Sequence, residues 1–271
     1  MNEQNQAAVR EHHGRPSPRE ASLAADVPDG VDTVVALGAH PDDIDFGAAG
    51  TLARWAEAGV SIHYVVMTKG DAGGFDPEDR DGMEARRREE QEGAARAVGA
   101  LSVRVWEEAD GHLTPSDRLQ RDVVRVLREL RPQLVLAPHP ERDYERYQRS
   151  HPDHLACGEI VARAVYPALE NPFAYPELQE QGLLAYRLRH LWFYGAPAAR
   201  ENRLVDVSAQ LPTKLLALRS HLSQHPDVGA MEAFVTRQLR AQGERGGLGL
   251  DVAAEAFHAT EVNTAETIAG F

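Results

Sequence analysis

Two short segments carry most of the reactive side chains of this sequence. Ala39-His40-Pro41-Asp42-Asp43 directly follows an apolar run, and Ser150-His151-Pro152-Asp153-His154 lies far downstream. Together they offer three histidines and three aspartates. Two histidines, one carboxylate and a position left open for water form the ligand set of a hydrolytic zinc site. His40 and Asp43 stand three residues apart in a turn that enters a helix, so both can aim at one ion. His154 is the expected third ligand, arriving from the second segment. Asp42 then stays free beside the ion, where a carboxylate can take the proton of a water that the ion has acidified. His151 sits one helical turn before His154 and faces the same space. Protonated, it can stabilise an oxyanion and then give a proton to a leaving amine. Asp153 suits a supporting place, orienting a histidine.

A blander reading competes with this one. Aspartate is favoured at helix N-caps and in first turns, and proline at the first helical position. Ser150-x-x-Asp153 also has the spacing of a capping box. Capping needs no histidine, however, and both segments supply it in ligand-like positions. We therefore expect one divalent ion, zinc by the donor set, although iron(II), nickel or cobalt would accept the same ligands.

The elements that must position these groups follow from the apolar patterning. Thr33 to Leu37, Val60 to Met67, Val103 to Trp106, Leu134 to Ala137 and Leu188 to Tyr194 suit strands. Helices are expected from about Gly47 to Glu57, from Met83 to Val98, and after Thr114-Pro115-Ser116-Asp117, a capping box with an early proline. This last helix places Leu119, Val123, Val126, Leu127 and Leu130 on one face. Strands alternating with helices predict an α/β fold, a mostly parallel sheet with helices on both faces. Loops at the carboxyl ends of such strands carry the chemistry, which brings both His-Pro-Asp segments together. Residues 1–27 are read as a flexible N-terminal arm and 28–271 as a single domain, with helices from about Leu211 packing late on the core.

The chain has 271 residues with 42% hydrophobic and 26% charged, ordinary values for a globular protein. Its net charge of −13 argues against a nucleic-acid partner, because phosphate contacts need clustered Lys and Arg. A single cysteine, Cys157, excludes an internal disulfide framework and reads as a small buried hydrophobe. No apolar run is long enough to span a membrane, and the N-terminus lacks the apolar core of a signal peptide, so a cytoplasmic location is expected. A homo-oligomer is compatible with the sequence, which does not determine it.

The Ala-His-Pro-Asp-Asp after a strand, the Ser-His-Pro-Asp-His opening a later helix and the Arg87-x-x-Glu90 between them resemble the LmbE-like N-acetylglucosaminyl deacetylases, the PIG-L group. The resemblance runs from about Val31 to Gln224. It implies a Rossmann-like fold and a zinc ion that serves to cleave an acetamide from an amino sugar. It implies His40, Asp43 and His154 as metal ligands, Asp42 as general base and His151 as the oxyanion-stabilising histidine, in agreement with the chemistry above.

Other positions follow from the same resemblance. Arg87 matches a sugar-binding arginine, with a solvated helical face as its alternative. Asp110 matches a loop that reads sugar hydroxyls, although an Asp-Gly turn explains it almost as well. His139 is a pocket liner after strand four. Tyr144 or Tyr147 would have to reach in to polarise the amide carbonyl, because Arg149 occupies the position just before the motif where some members keep a tyrosine. His221 falls in a segment that lines the family pocket, while physics alone makes it a partly exposed helical histidine. Lys69 to Gly74 reads as a flexible site wall, and His63 as a satisfied core histidine. His12, His13 and His258 fall in expected tails and are given no role.

The expected substrate is a small amino-sugar conjugate, attacked by a water that zinc activates and Asp42 deprotonates. Alternatives are an amidase of larger acyl or thiol-conjugate amides, or a non-catalytic sugar-binding member. A dehydrogenase or methyltransferase would need Gly-x-Gly-x-x-Gly where this chain has Gly38-Ala39-His40-Pro41-Asp42-Asp43.

Overall fold

The computed structural model describes residues 27–74, 80–264 and 267. Of the expected arm over residues 1–27, residues 1–26, including His12 and His13, lie outside the described residues, as do residues 75–79 after the glycine-rich loop.

Among the described residues seven strands form one sheet: β1 (Thr33–Gly38), β2 (Ser61–Thr68), β3 (Ser102–Glu108), β4 (Leu134–Pro138), β5 (His190–Tyr194), β6 (Arg203–Asp206) and β7 (Ala254–Glu261). Their order is β3-β2-β1-β4-β5-β7-β6. The first five are parallel, and β7 pairs antiparallel with both β5 and β6. Side chains along β1 alternate between two cores. Val34 and Ala36 join one apolar cluster, Val35 and Leu37 the other, as a two-residue period on a doubly covered sheet requires.

Helices α1 (Asp43–Glu57), α2 (Met83–Val98), α6 (Leu211–Leu218) and α7 (Val228–Arg245) contribute to the first core. Helices α3 (Asp117–Leu130) and α4 (Pro152–Arg163) contribute to the second, and the short α5 (Pro176–Glu180) supplies Leu178 to it. This is the α/β architecture with helices on both faces that the alternation predicts. The chain leaves β1 toward β2 and β3 on one side, then returns to β4 and β5 on the other. The β1/β4 pair is therefore the switch point, where loops diverge and leave a crevice.

Several details differ from the sequence reading, which also left out β6 and α5. Helix α1 begins at Asp43, inside the first motif and four residues before the expected start, with Asp42 at its N-cap; Gly47 and Gly50 are helical as expected, and their bare Cα atoms admit the Tyr194 ring and Val207. Ser116 alone caps α3, accepting from Leu119 N at 3.2 Å, with Pro115 outside the helix. The region after Leu211 holds a strand as well as helices: β7 slots between β5 and β6. His258 is thus not in a tail but within β7, opposite Phe193.

Candidate active site

His40 follows β1, and Asp43 opens α1. The Asp43 carboxylate turns back to accept from the backbone N–H groups of Ala39 (2.9 Å) and His40 (2.8 Å), which fixes the loop in a tight hook. From the other side of the switch point, α4 delivers His154 to within 2.9 Å of Asp43 Oδ1. His40 Nδ1 stands 3.5 Å from Asp43 Oδ2 and 3.3 Å from His154 Nε2. A tetrahedral zinc with donors about 2.1 Å away sets them about 3.4 Å apart, and these spacings, which fall on the two different oxygens of Asp43, are of that size.

The opposite nitrogen of His40 supports that geometry. Its Nε2 lies 3.0 Å from Asp153 Oδ2 and 3.1 Å from Asp110 Oδ1, two acceptors that keep the ring proton on Nε2 and leave the Nδ1 lone pair facing Asp43 and His154. Asp153 is itself anchored by the N–H groups of Gly111 (2.8 Å) and Leu113 (3.1 Å). Among the described residues, His40 converges with His151 and His154, and separately with Asp110 and Asp153, in groups whose donor atoms lie within 4.8 Å.

Electrostatics point to a cation. Burial alone would lower the His40 pKa, but hydrogen bonds with Asp110, Asp153 and Asp43 push it up to about 12. Burial would raise Asp43, yet His154 and His40 hold it well below the usual carboxylate range. Burial would lower His154, and Asp43 raises it instead. Without an ion the carboxylates draw protons onto the His40 and His154 imidazoles, so the cluster carries negative charge that protons or a bound cation can balance.

Asp42 occupies the N-cap position of α1 at φ 103°, a left-handed conformation that costs a non-glycine residue about 1–3 kcal/mol. Its side chain makes no capping hydrogen bond, so helix initiation does not account for this aspartate. Burial pushes its pKa up to about 6, opposed by Arg87, whose Nη2 stands 3.5 Å from Oδ2. Arg87 also donates to the carbonyl of Pro41 and is buried, not a member of a solvated face. The glycine loop makes room for it: a Cβ on Gly73 would meet Arg87 Nη1 at 2.6 Å.

The backbone N–H of Asp42 donates to Gln91 Oε1 (2.9 Å), and Gln91 Nε2 donates to Asp45 Oδ2 (2.9 Å). His221 Nε2 faces the same oxygen at 2.9 Å. His221 is therefore fully buried behind the site, which corrects both its reading as an exposed histidine and its expected place on the pocket wall. A sequence has no means of pairing Gln91 or His221 with Asp45, and both links were missed. His225, 3.9 Å from Asp42 Oδ2 and edge-on to Phe46, was also unread.

His151 packs edge-on against His40 with ring centroids 4.8 Å apart. It caps α4, its Nδ1 accepting from Asp153 N at 3.3 Å, while Ser150 Oγ turns away to accept from Asp143 N at 2.8 Å. The expected Ser150 box is thus replaced by a histidine cap. Burial, then His40 and His154, lower the His151 pKa. His139 is drawn elsewhere, its Nε2 2.9 Å from His258 Nδ1. Tyr144 and Tyr147 are exposed and meet each other at 6.4 Å, Tyr147 also lying under Arg142. His63 bonds Ser102 Oγ at 2.8 Å, and Cys157 is buried as a free thiol.

A histidine–carboxylate cluster at the switch point of a Rossmann-like sheet, where a nucleotide binder keeps its glycine turn, defines the class: an α/β enzyme working with imidazoles and carboxylates. Residues 35–165 match the family model described as PIG-L, GlcNAc-PI de-N-acetylase. The chain is 31% identical over 199 residues to a diacetylchitobiose deacetylase of Thermococcus kodakarensis, covering 73% of this chain and 72% of that protein. It is 27% identical over 246 residues to the 1D-myo-inositol 2-acetamido-2-deoxy-alpha-D-glucopyranoside deacetylase of Kineococcus radiotolerans, covering 69% and 67% of the two proteins. Among solved structures, the N,N′-diacetylchitobiose deacetylase of Pyrococcus horikoshii superposes with a TM-score of 0.77 at 30% identity, over 85% of this chain and 84% of that one. The chain belongs to the PIG-L family, the LmbE-like GlcNAc deacetylases, and is a hydrolase. Among the described residues, no helix is long and apolar enough to cross a membrane.

Proposed function

We propose that this protein removes the N-acetyl group from an N-acetylglucosaminyl conjugate, with residues 28–271 acting as one catalytic domain. The observation that carries the reading is the His40–Asp43–His154 triangle beside a buried, uncapped Asp42. These three residues would hold the ion, zinc by their donor types. Bound there, zinc supplies Lewis-acid polarisation of the amide carbonyl and acidifies water.

The remaining work falls to the chain. Burial raises the proton affinity of the Asp42 carboxylate against the pull of Arg87, which suits it to accept a proton from the attacking water. Arg87 keeps it charged and aimed. His151 accepts a backbone N–H at Nδ1, so its Nε2–H can donate a hydrogen bond to the oxyanion, and the proton that Asp42 takes from the water is the one available to the departing amine. Asp153 holds His40 in the tautomer that presents Nδ1. Asp110 and Arg87 flank the centre on the β2/β3 side and suit the sugar hydroxyls.

The test is release of acetate and free amine from N-acetylglucosamine and N,N′-diacetylchitobiose. Wild type should turn over, and Asp42→Asn should retain its metal and lose most activity. A folded, metal-loaded Asp42→Asn with wild-type turnover would remove Asp42 from the role of base.

A further inference from the structure

A cavity of about 350 Å³ abuts the cluster on the side away from Arg87 and Asp110. Asp43 and His154 form its inner end, and neither Arg87 nor Asp110 lies on it. Its walls come from Phe46 on α1, Tyr194 at the end of β5, Phe234, Val235 and Leu239 on α7, and Ala256 on β7. The volume is in the range of small-ligand sites.

Several of the polar groups around this space bond to one another or to the backbone. Tyr194 donates its hydroxyl to the carbonyl of Leu37 at 2.8 Å. At the rim, Arg149 donates to Gln238 (3.4 Å), and Gln242 donates to Glu201 (3.2 Å). Lys214 is closed off by Glu255 at 2.6 Å and by the carbonyls of Asp45 and Phe46. A second sugar ring would need donors and acceptors for several hydroxyls, whereas Phe46, Tyr194, Phe234, Val235, Leu239 and Ala256 offer apolar contact and the polar side chains Arg149, Gln238, Glu201 and Gln242 pair with one another. An alkyl chain needs only apolar contact.

An amide held at the cluster has two arms, the sugar on nitrogen and the alkyl group on the carbonyl carbon. Arg87 and Asp110 suit the sugar on one flank, which leaves the cavity to the other arm. We infer that the cavity beyond Asp43 and His154 is an acyl pocket, and that the enzyme hydrolyses N-acyl amino sugars with straight chains longer than acetyl. This rests on the deacylase reading above: the same C–N bond breaks, water adds to the acyl carbon, and a longer carboxylate leaves with the free amine.

The experiment is kcat/KM for amine release from N-acetyl-, N-butyryl-, N-hexanoyl- and N-octanoyl-glucosamine. Transfer of one methylene from water into an apolar wall corresponds to about a fourfold gain, so kcat/KM should climb by about that factor per carbon until the cavity is filled. Leu239→Trp and Val235→Phe, which narrow it from two positions on α7, should each lower the hexanoyl-to-acetyl ratio by at least tenfold. Hydrolysis of the acetyl compound with rates falling as the chain lengthens would overturn the acyl pocket and leave the deacetylase intact. Failure on every chain length with metal bound would overturn the deacylase reading itself. An unchanged chain-length ratio in both folded variants would also place the alkyl chain outside this cavity.

Discussion

Gln91→Leu tests how the fold holds its proposed base. Gln91 is fully buried and makes two hydrogen bonds of 2.9 Å, accepting from Asp42 N and donating to Asp45 Oδ2. Leucine fills similar space and offers neither. The Asp42 N–H is then stranded in a buried loop, at a cost of about 1–3 kcal/mol, and Asp45 keeps only His221 and a long contact from Tyr64 (3.4 Å). We expect a stability loss of about 2–4 kcal/mol. The lost bond is also comparable with the strain it holds in place, about 1–3 kcal/mol for a left-handed aspartate. Freed of it, the Asp42 backbone relaxes in much of the population and its carboxylate leaves the attacking position. Because each 1.4 kcal/mol is a factor of ten, kcat should fall about ten- to hundredfold, with KM and metal content near wild type. The assay is steady-state kinetics on variant shown to be folded by near-ultraviolet circular dichroism. A folded Gln91→Leu with kcat within about twofold of wild type would refute the positioning argument.

Other expectations follow from the charges. After chelator treatment, a carboxyl-carbon titration should place Asp42 near 6, and Arg87→Met should move it upward, since the guanidinium lowers it and burial raises it; a downward move would contradict the sign. His139 is pushed down to about 4 by burial and then by His258, so the folded state resists its protonation. An unfolded histidine titrates near 6.5, and stability should therefore be full above that pH and decline as pH falls toward 4. His139→Phe should flatten that acid slope in urea melts between pH 7 and 4, and an unchanged slope would remove His139 as its source. His154→Ala should empty or weaken the metal site, and stoichiometric metal in that variant would take His154 off the ligand set.

The parts of this molecule legible in its sequence are those encoded locally. Apolar runs of four to eight residues marked β1 to β5, and glycine at 99 and the Ser116 cap bounded helices. The two His-Pro-Asp segments gave their neighbourhood because each sits at a strand end of one sheet. Strand β7 was hidden because Ala-Glu-Ala-Phe-His-Ala-Thr-Glu favours a helix; its pairing with β5 and β6, and the Glu255–Lys214 bond beneath it, override that preference. Arg87 looked like one charge among many on α2, and only the glycine loop folding over it shows that it is buried. The Gln91–Asp45–His221 network joins residues 46 and 176 positions apart, a distance no spacing rule spans.

The central claim is that one divalent ion at His40, Asp43 and His154 drives amide hydrolysis. Metal content of the purified protein, measured beside chelator-sensitive acetate release from N,N′-diacetylchitobiose, tests it most directly. The account predicts about one equivalent of zinc or a similar ion per chain, with release lost on chelation and restored by metal. Protein that binds no metal after reconstitution, or that releases acetate equally well without it, would contradict the account.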